Sequence, residues 1–532
     1  MSRILVIDDD AGQLEIRKLL LEHAGYAVTV ATTAAEAREC FSSVNPRVVL
    51  VDLRLQSDGD GFELIREFRQ ADPQVRIVVI SGWAADLSGR VEESMVDAVI
   101  PKPSRSAGLI STIARLAAML AVLLPMAAAK TFPFTAERAG EAVAQVTMSA
   151  PGANWSKAGA EAAMADVRVD DGAAFQVMVY AGDKPHGYRV FLGAVAAGVH
   201  RLTIDPLGRF TAAGTYMTVE KVEFKTGLDD PVLAHAPVLY ARRNTVGKFT
   251  DVPMVVYAEN LREGADSILQ YTVIFTNEDG GTSTRALMAR WGRTTDIEYV
   301  YRLNTRTDRA IIQSRNHKDI EYDGPREGKH PVLMPITDNN MVGPVEGEPP
   351  PVRYQIAPVV ADLSAHSREH VMDESPILYR IAAEELAREG KLRAFGTVDG
   401  ENISDPRNYL YVEAKVSNLN SGLSVNVRLK DDSLWRAGAL GRADYAISRS
   451  EWIRTTVELP PGTMASQIGE IGLECVVAPN AEKRFPLSGE CKVDAITKVF
   501  LLDRDYRPGA NVWTLPSAVS IPSGLTRTYR LR

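Results

Sequence analysis

Cysteine is scarce, with only Cys40, Cys475 and Cys491 in a chain of 532 residues. That scarcity excludes a disulfide-built scaffold and leaves no Cys-x-x-Cys pair for a thiolate zinc site. A basic excess is missing too. Sixty Lys and Arg stand against 68 Asp and Glu, a formal net charge of −8, so neutralising a nucleic-acid backbone is excluded as the main task. The sequence has no nucleotide P-loop, no dinucleotide Gly motif, no Gly-x-Ser-x-Gly elbow and no helix-turn-helix pattern after its first hundred residues. No clean membrane span is present either. The longest apolar stretch, Leu109–Ala129, contains Arg115, and a central arginine costs about 2.5 to 3.5 kcal/mol in a bilayer. What is there, 45% hydrophobic and 24% charged residues, suits a soluble chain with several cores, about three or four at roughly 100 to 200 residues each.

The first hundred residues alternate two periodicities. Short β-branched runs at Arg3–Ile7, Ala27–Val30, Val48–Val51, Ile77–Ile80 and Ala98–Ile100 predict strands. Helical patterns fill the gaps: Ala11–Ala24 with Leu14, Ile16, Leu19, Leu20 and Leu21, then Thr33–Phe41 behind a threonine cap, then Phe62–Gln70. Strands alternating with helices predict an α/β doubly wound, five-stranded parallel sheet whose ligands bind beyond the carboxyl ends of its strands. Asp8, Asp9 and Asp10 follow the first strand, Asp52 the third, Ser81 the fourth and Lys102-Pro103 the fifth. Carboxylates converging on one crevice repel one another, and an all-oxygen donor set suits a hard cation such as Mg²⁺. A lysine and a hydroxyl beside such an ion can stabilise a phosphoryl group.

These residues carry a resemblance. Ile4-Leu-Val-Ile-Asp-Asp-Asp10, Val48-Val-Leu-Val-Asp-Leu-Arg54, Gly61-Phe-Glu-Leu64, Val79-Ile-Ser-Gly82 and Lys102-Pro103 make residues 1–119 similar to a response-regulator receiver domain of two-component signalling. The resemblance implies that Asp52 accepts a phosphoryl group from a sensor histidine kinase or phosphotransfer protein. It implies Mg²⁺ held by Asp8, Asp9 and Asp52 with the carbonyl of Arg54, Ser81 and Lys102 contacting the phosphoryl oxygens, and a cis peptide before Pro103. It also implies a cytoplasmic signalling module rather than a turnover enzyme. Two positions depart from the family pattern: Gln56 stands where proline is usual, and Val99 occupies the aromatic switch position, leaving Ser81 and the fourth helix to carry the signal.

Residues 107–129 admit more than one reading. Ser106–Met119 supplies a fifth receiver helix, yet Leu116–Ala129 followed by Lys130 has the apolar core, proline break and Ala-x-Ala ending of a secretory signal, or could anchor the chain in a membrane. Secretion machinery or a membrane is then a partner, and the remainder is extracytoplasmic. A fusion of two genes or a joined reading frame is the third account. The Cys475 and Cys491 pair, able to close a short loop, favours an external remainder.

From Ala144 onward, alternation and turn signals predict mainly β structure: a sandwich-like domain at 130–230, a second β unit at 231–342, a Pro- and Gly-rich linker at 343–352 and a mixed, mainly β unit at 353–532. Leu269–Thr276 and Arg285–Trp291 predict a hairpin around Asn277–Thr282, and Ser375-Pro376 opens a helix that Gly390 closes. The region resembles uncharacterised secreted bacterial β-rich proteins. Two constellations could bind a metal. His366-Ser-Arg-Glu-His370 matches the H-x-x-E-H pattern, predicting His366 and His370 on one helix face with Glu369 as base of a zinc hydrolase. Asp296 and Glu298 share one face of a predicted strand, within a segment that resembles the Gly-His-Arg-His-Asp-Trp-Glu strand of necrosis-inducing secreted proteins at Gly292, Asp296 and Glu298.

Overall fold

The computed structural model describes residues 3–24, 26–44, 46–55, 60–72, 75–82, 87–102, 109–110, 112–113, 116, 129–212, 214–278, 280–477 and 489–531. The Gln56 loop, Pro103 and most of the apolar segment, including residues 117–128, lie outside them. Two compact units emerge, the first Met1–Ala129 with Ala163–Ala165 and Asp205–Thr218, the second Lys130–Ala162, Asp166–Ile204 and Val219–Arg532.

In the first unit, β1 (Arg3–Ile7), β2 (Ala27–Ala31), β3 (Val48–Val51), β4 (Arg76–Ser81) and β5 (Ala98–Pro101) form one sheet in the order β2-β1-β3-β4-β5. Every pairing is parallel. The alternation of side chains along each strand splits the core in two. Leu5, Ile7, Val49, Val51, Ile77 and Val79 face α2 (Ala34–Val44) and α3 (Asp60–Ala71), where Leu64, Ile65 and Phe68 are buried. Ile4, Val6, Val48, Leu50, Val78 and Ile80 face the other way, against Leu14 and Leu21 of α1 (Ala11–His23). Leu109, Ile113 and Leu116 join this second layer from helical positions, as a fifth receiver helix requires. Burying each such side chain is worth about 1.5 to 3 kcal/mol.

Two features of this unit differ from expectation. Ile16 and Leu19 are both 61% exposed, while Arg17 occupies the buried face beside Leu14 and Leu21. In the region where a fourth helix was expected, Val91–Met95 is a 3-10 turn, with Gly89 ahead of it at φ +77. Val99 on β5 is 42% exposed. Among the described residues no helix is long and apolar enough to cross a membrane.

Beyond Ala129 the chain is mostly antiparallel sheet. Gly140–Ser149, His186–Val195 and Thr218–Leu228 form one sheet, and Lys130–Ala136, Gly198–Pro206, Ala163–Val169 and Phe175–Val179 another. A six-stranded sheet follows, with Asp266–Phe275 between Pro253–Glu263 and Ile297–Asn304. Val342–Pro344, at the start of the expected linker, pairs with Leu333–Pro335 as a strand. Near the C-terminus two four-stranded sheets enclose one core that contains Leu410, Val412, Val425, Val427, Ile471 and Val499. Cys475 and Cys491, both fully buried members of this core, are disulfide-bonded, their Cα atoms 5.6 Å apart. Ile377–Arg388 is the helix opened by Ser375-Pro376, and Gly390 follows it at φ +68.

Thr284–Trp291 is a helix and not the return strand of a hairpin. Ser283 caps it by accepting from the Ala286 amide, Ala286, Leu287, Met288 and Ala289 are buried, and Gly292 ends it in the left-handed region at φ +60. Strong helix formers between a serine N-cap and a C-terminal glycine outweigh the Asp-Gly turn signal upstream.

Candidate functional site

Four strand ends and one helix start build the acidic crevice of the first unit. Asp8 and Asp9 follow β1, and Asp10 caps α1, its Oδ1 accepting from the Gly12 amide at 2.9 Å and the Gln13 amide at 3.1 Å. Capping thus occupies Asp10 and separates it from the other two carboxylates. Asp52 follows β3, is 8% exposed, and accepts from the Arg54 amide at 3.4 Å. Asp8, Asp9 and Asp52 each offer a carboxylate oxygen within 4.8 Å of the others. Ser81 ends β4 and is buried, and its carbonyl accepts from the Lys102 amide at 3.0 Å, which fixes the start of the segment after β5.

Two cations hold this cluster. Lys102 Nζ donates to Asp52 Oδ2 at 2.5 Å and to Asp8 Oδ2 at 2.9 Å, while Arg17 Nη1 donates to Asp8 Oδ2 at 2.5 Å. Burial pushes the Asp8 carboxyl up, but the hydrogen bonds from Lys102 and Arg17 outweigh it and hold the group below its ordinary value. Lys102 shows the reverse: burial pulls it down, and Asp52 and Asp8 raise it above an ordinary lysine. Lys102 and Arg17 thus neutralise part of the charge that Asp8 and Asp52 bring together. Arg17 went unread in the sequence, although its place on the buried face of α1 was the available signal. Gly61 is a second close approach: a Cβ there would collide with the carbonyl oxygen of Asp52 and with Leu53.

Comparison with known proteins points the same way. The profile of the response regulator receiver domain matches residues 4–114. The response regulator receiver protein CpdR of Brucella abortus is 32% identical over 117 residues, 22% of this chain and 97% of CpdR. The chain belongs to the response-regulator receiver family. The photosynthetic apparatus regulatory protein RegA of Rhodobacter capsulatus is 32% identical over 82 residues, 15% of this chain and 44% of RegA, so this chain spans under half of that relative. A receiver domain from Methanospirillum hungatei aligns at 28% identity and TM-score 0.20, covering 21% of this chain and 91% of that one. The response regulator TrrA of Thermotoga maritima, solved in complex with Mg²⁺-BeF, aligns at 25% identity and TM-score 0.21, covering 22% of this chain and 99% of TrrA. The N-terminal unit is thus a two-component receiver domain, of a family that histidine kinases or phosphotransfer proteins phosphorylate and that generally binds Mg²⁺ at the phosphorylation site.

The second unit brings together only part of what its sequence suggested. His366 and His370 meet, rings stacked at 3.8 Å, but His366 lies in a turn ahead of the short helix His370–Glu374 rather than on it. Glu369 does not face them. It is 2% exposed and pairs with Arg293 at 3.3 Å, so the base of an H-x-x-E-H site is missing. Its place is taken by Glu413, from the strand Tyr409–Leu419, with Oε1 3.0 Å from His366 Nδ1. Forty-seven residues of separation from His366 hide that partner from any motif search.

Asp296 ends a loop just before the strand Ile297–Asn304, which carries Glu298. Asn340 Nδ2 donates to Asp296 Oδ2 at 3.0 Å and to Asp251 Oδ1 at 2.6 Å. Burial raises Asp296, and burial with the nearby Asp296 charge raises Glu298 to about 8 and Glu278 to about 7. His317 Nδ1 lies 3.9 Å from Glu298 Oε2. Among the described residues, Asp296 and Glu298 join no third His, Cys or carboxylate ligand within the reach of one ion. Gly292, the other point of likeness to the secreted-toxin strand, terminates a helix. A separate hollow of about 760 Å³ has Glu141, His330 and Arg353 on its wall, each under 10% exposed.

Proposed function

We propose that Asp52 is the phosphoacceptor of this receiver and that Asp8, Asp9 and Asp52 hold Mg²⁺. The observation that carries the reading is the convergence of these three carboxylates within 4.8 Å, with the Lys102 ammonium 2.5 Å from Asp52. Their all-oxygen donors fit a hard divalent ion. Such an ion, when bound, supplies positive charge to phosphoryl oxygens. The Asp52 carboxylate attacks phosphorus, the bond to the donor histidine nitrogen breaks, and an acyl phosphate forms on Asp52. Lys102 is within reach to exchange its carboxylate contact for a phosphoryl oxygen, and Ser81, at the end of the adjacent strand, is the hydroxyl that reports the modification to β4. A cytosolic histidine kinase or phosphotransfer protein supplies the phosphoryl group.

Incubation of the full chain with labelled acetyl phosphate and Mg²⁺ tests this. Incorporation of one phosphoryl group per chain, abolished by Asp52→Asn, is expected; equal labelling of that variant moves the acceptor elsewhere and sinks the assignment.

The Cys475–Cys491 bond supports a second reading for the C-terminal region. Stable disulfides belong to oxidising compartments. The second unit is then an extracytoplasmic β-rich module, with the segment through Ala129 as its signal or anchor. Alkylation of thiols in intact cells, followed by fractionation of a C-terminally tagged chain, tests it. Free, alkylated Cys475 and Cys491 in a cytosolic fraction would dismiss it.

A further inference from the structure

We propose that His366, His370 and Glu413 form a site for one divalent transition-metal ion, Zn²⁺ in type, with a coordination position open to the adjoining cavity. The three side chains offer one donor atom each, all within 4.8 Å of one another. Two imidazoles and one carboxylate are a borderline-soft donor set, suited to Zn²⁺ and its neighbours rather than to Mg²⁺ or Ca²⁺. Three protein donors leave a tetrahedral ion one position for water or a ligand.

Support around the donors favours the site. Glu413 is fully buried and its two oxygens are differentiated. Oε2 accepts from Arg454 Nη2 at 2.8 Å and Ser367 Oγ at 3.0 Å, while Oε1 is turned to His366, with Thr497 Oγ1 3.4 Å away. Arg454 is itself fixed by Asp373 at 2.6 and 2.8 Å. An oriented carboxylate with one oxygen held from behind is the outer-shell arrangement that metal-binding carboxylates use. His370 Nδ1 is shielded from water and has no hydrogen-bond partner among the described residues; Asp373 Oδ2 lies 3.9 Å from it and Glu374 Oε1 lies 3.8 Å from Nε2. Stacked at 3.8 Å, the two rings are placed to act as neutral donors to one ion rather than as two adjacent cations. His366 also lines a cavity of about 270 Å³ with Glu259, Trp291, Tyr299, Arg302 and Trp452, which gives the open position access to a small polar ligand.

The H-x-x-E-H pattern and this site make different claims, because Glu369 serves Arg293 and not the histidines. The experiment uses the full chain, stripped with chelator and returned to excess Mg²⁺ so that the receiver's oxygen site does not compete. Zn²⁺ is then titrated by equilibrium dialysis. One Zn²⁺ per chain is expected, with affinity reduced roughly a hundredfold in His370→Ala and unchanged in Glu369→Gln. Co²⁺ gives a readout that needs no variant: visible absorption bands of a tetrahedral ion, erased by added Zn²⁺, are expected. Absence of those bands in the unmodified chain overturns the proposal, as does His370→Ala that melts like the parent without metal yet binds Zn²⁺ equally well.

Discussion

Arg17 sits where the amphipathic pattern of α1 calls for an apolar residue, three positions after Leu14 and four before Leu21, and its side chain is 6% exposed. It is tolerated because Asp8, 1% exposed, lies 2.5 Å away. Removing one partner of a buried pair leaves the other uncompensated. Lys102 still contacts Asp8, so Arg17→Met is expected to cost roughly 2 kcal/mol in urea unfolding, less than the 3 to 5 kcal/mol of a fully orphaned charge. The pH dependence has a definite sign. Asp8 is held below its unfolded value of 3.8, so its contribution is present above that pH and is lost as pH falls through the lower folded value. Arg17→Met should therefore narrow the stability difference between pH 5 and pH 2, measured as melting temperature. At Gly61 the constraint is steric rather than electrostatic. Gly61→Ala forces the start of α3 away from the Asp52 carbonyl, and a loss of roughly 1 to 3 kcal/mol is expected in the same unfolding assay.

At the level of elements, the parallel sheet was legible because each strand is a short β-branched run between turn residues, and all five appear within a residue or two of their expected ends. Asp8, Asp9, Asp52, Ser81 and Lys102 were legible for the same reason, since in a parallel sheet every strand delivers its carboxyl end to one edge. What escaped detection rested either on competing local signals or on contacts distant in sequence. The helix Thr284–Trp291 carried its own Ser283 cap and Gly292 stop, but the Asn277–Thr282 loop read more strongly as a hairpin. His366 and His370 were found by spacing, whereas Glu413 arrives from another sheet and Glu369 turns toward Arg293. The disulfide belongs to this scale too. Cys475 lies near the end of Ile468–Val477 and Cys491 is the second residue of Glu490–Leu501, strands of the two facing sheets, and the bond closes a separation of 16 residues. Loop closure of that length is worth about 3 kcal/mol. Reduction followed by alkylation should lower the stability of this sandwich by about that amount, read as a shift in its urea midpoint, while receiver labelling at Asp52 is unaffected.

For the whole molecule, two units with separate cores respond to different chemical variables. With Asp8, Asp9 and Asp52 holding Mg²⁺ as proposed, Mg²⁺ and beryllofluoride together should raise the calorimetric transition of the first unit while the second stays in place. Proton concentration acts on the second through a group of buried acids. Glu298 is raised to about 8 and Glu278 to about 7, against ordinary values of 4.5, with Asp296 also raised. A folded state that binds more protons than the unfolded chain loses stability as pH rises between the two values. His186, His235 and His370 are pulled below 6.5 by burial and oppose this trend only at lower pH, since above about 6.5 they are largely neutral in both states. Between pH 6.5 and 8 the ionising acids lower stability, and His200, raised above its ordinary value by Asp170, adds to the fall in the same direction, so the contribution of Glu298 is read from a variant rather than from the parent's slope. Glu298→Gln mimics the protonated form and cannot ionise. Its second transition should match the parent near pH 5 and exceed it increasingly up to pH 8. Parallel melting curves for parent and variant across that range would mean that Glu298 is ionised throughout and that its neighbours, not burial, set its charge.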